Sequence, residues 1–185
     1  LGALDGVALI RFFGHFYSGK IKFLVNDLLM HIKPLAPVFL PINKYGSQAK
    51  ESSLQINNAY ESDEQMLIFP AGLCSRLQHG KIKDLEWKKT FIAKAVQSQR
   101  DIIPIYFEGR NSTFFYRFAQ IRKCIGLKFN IELIYLPDEM FNSKNKTFDI
   151  YIGKPIPWQT FDKSKSLQEW AQIVKEKVYQ IKKNQ

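Results

Sequence analysis

One turn of the chain collects residue types that could act on a substrate. The stretch Phe69-Pro70-Ala71-Gly72-Leu73-Cys74-Ser75-Arg76 follows QMLIF at 65–69, an apolar run typical of a buried parallel strand. Pro70 and Gly72 favour a tight turn whose backbone N–H groups can face an anion or an oxyanion. A hydroxyl and a permanent cation end the stretch. The spacing alone is equally compatible with an ordinary strand-ending turn.

Two other residue types suggest chemistry in isolation. Cys74 could be a nucleophile only with a base nearby, and His15, His31 and His79 form no recognisable pattern with it. A buried thiol is therefore the favoured interpretation. Asp5 is either an N-cap of the first helix or the acid that orients a catalytic base. Without a neighbouring histidine in the chain, the residues alone favour the cap.

These residues must be positioned by alternating strands and helices. A capping box at Ser166–Glu169 predicts a last helix with an apolar stripe. The alternation of strands and helices predicts one α/β domain over residues 1–185, with a mostly parallel sheet and helices on both faces. Strands are expected at 21–25, 38–42, 65–69, 102–107, 129–136 and 147–152, and other helices at 7–17, from 27 to about 31, at 47–60, about 87–95 and 113–125.

Composition points to anionic partners. The 185 residues carry a formal charge of +10 and include 15 Phe, 8 Tyr and 3 Trp, a mixture that suits a membrane interface or nucleic-acid stacking. Two cysteines without metal-ligand spacing predict neither a disulfide framework nor a metal site, and fit a reducing cytosol. No apolar run is long enough to span a bilayer, and the first residues are not expected to be a signal peptide. The natural start is expected upstream.

Four blocks in order carry a family resemblance: LGALDG, FLPINKYG, LIFPAGLCSR and IIPIYFEGR. Together they resemble the glycerolipid and lysophospholipid acyltransferase family, which includes enzymes that acylate 1-acylglycerol-3-phosphate. The motifs cover roughly residues 1–110. The resemblance implies a glycerol-3-phosphate-acyltransferase-like fold, a fatty acyl thioester of acyl carrier protein or coenzyme A as donor, and no bound cofactor or metal.

The resemblance also assigns roles to residues. The family's catalytic histidine would lie two positions before Leu1, so the chain is expected to be N-terminally incomplete, with Asp5 orienting that base. Lys44 stands where many members place an arginine that contacts the acceptor's phosphate. The other implied substrate-binding residues belong to the turn: Phe69, Pro70, Gly72, Leu73, Ser75 and Arg76.

The turn departs from the family pattern at three positions. Ala71 replaces a glutamate, Leu73 a threonine and Cys74 an arginine, and Arg76 is expected to supply a displaced cation. This variant resembles a bacterial branch described as hemolysin-like or aminolipid acyltransferases, whose members acylate amino-acid-containing lipids. A carboxylate acceptor would fit a site with fewer arginines.

We therefore expect an acyltransferase of membrane phospholipid or aminolipid biosynthesis, which acylates a hydroxyl of a lysophosphatidate-like or amino-acid-containing lipid. Its expected location is the cytoplasm, peripheral on the inner face of the cytoplasmic membrane. The segment 113–128 is either an interfacial docking helix or a helix whose aromatic face packs in the core. The alternative functions are an inactive lipid-binding scaffold and a basic nucleic-acid-binding module, although no nucleic-acid partner is expected because most aromatics lie in apolar runs.

Overall fold

The computed structural model describes residues 2–25, 33–42, 47–127 and 129–182. These form two compact units, Leu1–Val7 with Pro70–Gln185, and Ala8–Phe69. The helices are α1 (Leu4–Phe16), α2 (Ser47–Glu61), α3 (Thr90–Gln97), α4 (Thr113–Cys124), α5 (Leu136–Phe141) and α6 (Leu167–Ile181). The strands are β1 (Ile21–Val25), β2 (Phe39–Pro41), β3 (Gln65–Leu67), β4 (Arg76–Gln78), β5 (Lys81–Lys83), β6 (Ile105–Phe107) and β7 (Ile150–Ile152).

The Ala8–Phe69 unit is built on a three-stranded parallel sheet in the order β2-β1-β3. In β1, burial alternates, and Ile21, Phe23 and Val25 point inward. The Phe23 ring packs edge-on against Phe69, with 5.2 Å between the ring centroids. The predicted strand at 21–25 is thus confirmed with the same bounds, and those at 38–42 and 65–69 are confirmed with shorter bounds. The helix at 47–60 is confirmed and ends one residue later. The helix expected from residue 27 lies outside the described residues.

In the Pro70–Gln185 unit the described strands pair differently. β4 and β5 form an antiparallel hairpin, and β6 pairs antiparallel with β7. The strands expected at 102–107 and 147–152 are therefore present but contribute no parallel pairing. The chain is a mixed α/β protein with one three-stranded parallel sheet among its described residues, and the expected mostly parallel sheet is corrected accordingly.

Residues 129–136 are not a strand, and that prediction was wrong. They form a 3-10 helix, Ile131–Tyr135, that leads directly into α5. Pro137 and two acidic residues in the first turn of α5 favour a helix start at this point. The alternation of FNIELIYL also misleads, because Glu132 is fully buried while Ile134 is 76% exposed.

The last helix, α6, agrees with its sequence signals. The Ser166 side chain accepts a hydrogen bond from the Glu169 N–H at 3.2 Å, and the Glu169 carboxylate accepts one from the Ser166 N–H at 2.7 Å. This is the predicted capping box. Its apolar stripe buries Val174 and Val178, together with Ala171. The helices predicted near 87–95 and at 113–125 correspond to α3 and α4.

A buried ion cluster ties three elements of this unit together. The Glu132 side chain has no solvent exposure, and its Oε1 lies 2.7 Å from Arg76 Nη2 while its Oε2 lies 2.8 Å from Arg122 Nε. Both arginines are about nine-tenths buried. The Arg76 guanidinium also lies over the Phe115 ring, 5.8 Å from its centroid. One carboxylate thus joins β4, α4 and the 3-10 helix.

Within the described part of the chain, no helix has the length and apolar character needed to cross a bilayer.

We predict that Glu132→Gln lowers the free energy of unfolding by about 3–5 kcal/mol, because the change leaves two largely buried guanidiniums facing each other without a counter-charge. Urea unfolding followed by circular dichroism measures the difference. Glu108→Gln is the matched control, since Glu108 also pairs with a cation, Lys182, but in an exposed position. Equal losses in the two variants would contradict a special role for the buried cluster.

Candidate active site

Asp5 lies in the first turn of α1, and its position is fixed by the backbone around it. The side chain is only 8% exposed, and its Oδ1 accepts hydrogen bonds from the Gly2 N–H at 2.7 Å and the Gly6 N–H at 2.9 Å. α1 begins at Leu4, one residue earlier, so Asp5 is not the N-cap that the residues alone favoured. Its carboxylate instead accepts hydrogen bonds from backbone groups on both sides of Asp5 and so fixes the segment from Gly2 to Gly6.

The predicted turn follows at Pro70. The Pro70 carbonyl accepts a hydrogen bond from the Lys88 N–H at 3.0 Å, and Gly72 has a φ of +68°, in the left-handed region that favours glycine. The Ser75 hydroxyl donates to Asp84 Oδ1 at 2.8 Å. Phe69 and Gly72 are exposed, whereas Pro70, Leu73, Ser75 and Arg76 are partly buried.

Asp84 anchors this turn to the rest of the unit. Besides Ser75, it accepts a hydrogen bond from Trp87 Nε1 at 3.1 Å through its Oδ2. The Asp84 N–H donates to the Tyr179 hydroxyl of α6 at 3.0 Å. Burial raises the pKa of Tyr179 to about 12, so this hydroxyl stays neutral. The Ser75 hydroxyl thus donates its proton into a hydrogen-bond network with Asp84, Trp87 and Tyr179.

Cys74 brings the turn and the Asp5 segment together. A Cβ placed on Gly2 would lie 2.1 Å from Cys74 Sγ, so the backbone of Gly2 rests directly on the thiol. Cys74 is 8% exposed and packs in a cluster with Phe115 and Tyr116. Burial raises the pKa of its thiol, which favours the protonated form. The interpretation of Cys74 as a buried thiol is confirmed.

Arg76 is held by the protein on several sides. Its Nη1 donates to the carbonyls of Cys74 at 3.0 Å and of Ser75 at 3.3 Å, while Nη2 pairs with Glu132. These bonds clamp the end of the turn. Contact of Arg76 with a substrate stays a prediction.

Lys88 is a cation at the turn that the sequence analysis did not select. A Cβ placed on Gly72 would lie 3.0 Å from Lys88 Nζ, so the ammonium group stands over the glycine. The side chain is exposed. A signal was available: Lys88 and Lys89 immediately precede α3, where the helix dipole disfavours cations. The helix dipole therefore gives these two cations no stabilisation.

The remaining predicted residues are placed as follows. Lys44 and His31 lie outside the described residues. His15 is in the last turn of α1, and His79 lies in the turn between β4 and β5 with a φ of +49°. Within the Pro70–Gln185 unit and its N-terminal segment, the structure therefore joins a fixed carboxylate, a glycine-containing turn and an exposed ammonium group. Such a set can orient a base and bind an anionic group.

The sequence is similar to proteins of one known family. A family model described as "Acyltransferase" matches residues 1–185. Two similar proteins are both named "Lyso-glycine lipid O-acyltransferase": one from Bacteroides thetaiotaomicron is 56% identical over 181 residues, and one from Phocaeicola vulgatus is 54% identical over 181 residues. No solved structure is a significant match.

The alignments cover 98% of the chain in both cases but only 66% and 65% of the two relatives, so the chain spans just under two thirds of their length. Since the family model covers every residue from 1 to 185, the motifs around Asp5 and Gly72 lie within the matched region. The chain belongs to the acyltransferase family.

Proposed function

We propose that the protein transfers a fatty acyl group from a thioester of acyl carrier protein or coenzyme A to the hydroxyl of a lyso-glycine lipid. The observation that carries the proposal is the Asp5 carboxylate, fixed by two backbone N–H groups in a segment that rests on Cys74 of the turn. The names of the two similar proteins support the choice of acceptor. The proposed overall fold is that of glycerol-3-phosphate acyltransferases.

Asp5 would act as a positioning residue. From the family motif we propose a histidine two positions N-terminal to Leu1 as the base. Its neutral imidazole takes the proton from the acceptor hydroxyl while the hydroxyl oxygen attacks the thioester carbonyl carbon. The tetrahedral intermediate then collapses, the carbon–sulfur bond breaks, and the thiol leaves with a proton. The carboxylate fixes the imidazole tautomer and stabilises the imidazolium between these steps.

The turn and Lys88 would bind the acceptor's carboxylate. Arg76 is engaged by Glu132 and by two carbonyls of the turn, so it is not the obvious partner for a headgroup. Lys88 presents an exposed ammonium group over Gly72, where no side chain intervenes. An ammonium group there can bind a carboxylate, which agrees with the glycine headgroup in the names of the two similar proteins.

The proposed setting is membrane lipid synthesis at the inner face of the cytoplasmic membrane. Both the acyl thioester and the product's destination fit that location. Lys44 remains a proposed second cation for the headgroup, and Phe69, Leu73 and Ser75 remain proposed contacts. The reaction as written needs no bound cofactor.

We predict that Asp5→Asn lowers kcat of the full-length protein by about 10²–10⁴-fold, because an amide cannot stabilise the imidazolium or fix its tautomer. The fold should persist, since the asparagine side-chain oxygen can still accept from the Gly2 and Gly6 N–H groups. Transfer of a labelled acyl chain to lyso-glycine lipid measures the rate, and thermal unfolding checks the fold. Asp162→Asn, at an exposed site, is the control. Unchanged turnover in the Asp5 variant would exclude a His-Asp mechanism.

We predict that Lys88→Ala raises KM for lyso-glycine lipid by about tenfold with little change in kcat, as expected from the loss of one charged contact. Lys89→Ala is the matched control and should leave KM unchanged. Lys88→Arg should restore most of the affinity.

A second comparison isolates the carboxylate. An acceptor whose glycine carboxylate is converted to an amide should bind the original protein about as weakly as the normal acceptor binds the Lys88→Ala variant. In that variant the amide should cause no further loss. A tenfold loss in both proteins would show that Lys88 does not contact the carboxylate.

A further inference from the structure

Helix α4 carries two apolar faces, and only one of them is buried. The inner face, with Phe115, Tyr116 and Ala119, packs into the unit. The other face repeats at positions i, i+4, i+7 and i+11, which places its residues in one stripe along the helix. Three members of this stripe are 54%, 58% and 65% exposed; the stripe consists of Phe114, Phe118, Ile121 and Ile125.

The 3-10 helix extends this stripe sideways. The Tyr135 ring contacts Phe114 and Phe118 edge-on, with centroid distances of 5.3 and 5.5 Å. Phe114 and Phe118 stack on each other at 5.8 Å. We call these five residues, Phe114, Phe118, Ile121, Ile125 and Tyr135, the α4 apolar surface. Two apolar residues after the helix are also exposed, Leu127 by 44% and Phe129 by 81%.

The charges around this surface are strongly unbalanced. Residues 110–146 contain seven Lys and Arg against three Asp and Glu. Two of these acids are engaged: Glu132 is buried between two arginines, and the Glu139 carboxylate accepts hydrogen bonds from the Ser112 N–H at 2.6 Å and its hydroxyl at 2.5 Å. Arg117 and Lys123 of α4 are exposed. The region therefore combines an open apolar stripe with an excess of cations, of which Arg117 lies beside the stripe on α4.

We propose that the α4 apolar surface inserts into the interfacial layer of a bilayer that contains anionic lipid. The aliphatic and aromatic side chains enter the boundary between headgroups and acyl chains, while Arg117, which lies beside the stripe on α4, meets the lipid phosphates. This extends the proposed function by naming the surface, and it does not depend on the identity of the acyl acceptor, because bilayer binding needs no turnover.

Charge and chemistry disfavour the other occupants. A second copy of the chain would bring two cationic regions together, which costs free energy. A nucleic acid would use the cations and rings but gain nothing from Ile121 and Ile125, which offer neither stacking nor hydrogen bonds. An anionic bilayer satisfies both the apolar stripe and the excess of cations.

Cosedimentation of the full-length protein with vesicles measures its bilayer binding. The vesicles contain phosphatidylcholine, either alone or with about 30% phosphatidylglycerol. Ile121→Gln/Ile125→Gln keeps good helix formers in α4 and should weaken binding to the anionic vesicles by about tenfold. Leu54→Gln is the matched control, because Leu54 is an aliphatic residue of α2 that is 60% exposed. It should leave binding unchanged. Raising the salt concentration should weaken binding of the original protein.

Three results would overturn the proposal. The first is equal binding by the original protein and the Ile121→Gln/Ile125→Gln variant. The second is a loss of binding to the same extent in the Leu54 control. The third is a dimer in vesicle-free buffer that the double variant abolishes, which would assign the surface to a second copy. A protein that binds vesicles as predicted but transfers no acyl group would support this inference and contradict the proposed function.

Discussion

The interaction on which the site most depends is the buried contact of Glu132 with two arginines. A carboxylate without solvent exposure is costly unless it is paired, and Arg76 and Arg122 provide that pairing from β4 and α4. Because Arg76 also donates to two carbonyls of the turn, the ion cluster sets the conformation of the chain just after Gly72. The same cluster fixes the rotation of α4 about its axis, since Arg122 must face inward.

Because of this constraint, the residues that support the turn differ from the residue available to bind a substrate. Arg76 and Ser75, the two polar groups most visible in the sequence, both bond to other parts of the protein, the one to Glu132 and the other to Asp84. The exposed ammonium group over the turn belongs to Lys88 instead. Among the described residues of the turn, the guanidinium thus supports the backbone and the lysine faces solvent. This division agrees with the proposed glycine-lipid acceptor, whose carboxylate a lysine can bind.

The sequence predicted most elements but missed contacts that depend on tertiary structure. Apolar runs located β1, β2 and β3, and the capping box located α6, because these signals are local. The pairing of β6 with β7 could not be predicted, since a buried strand has the same pattern in either direction. Residues 129–136 misled because Glu132 points inward to distant arginines. Lys88 was missed for a related reason: its approach to Gly72 is a tertiary contact, and Lys88 lies between the third and fourth family blocks.

The contact between Gly2 and Cys74 restricts which sequences can share this site. A Cβ added to Gly2 would lie 2.1 Å from the Cys74 sulfur, and Gly2 has a φ of +107°. Position 2 therefore accepts only glycine, even though the side chain at position 74 is small. An arginine at position 74, as in the common family pattern, would fill the space in which the Asp5 segment now lies. A side chain at position 2 and a long side chain at position 74 would therefore both displace the Asp5 segment. The small cysteine side chain leaves the space in which the N-terminal segment approaches the turn.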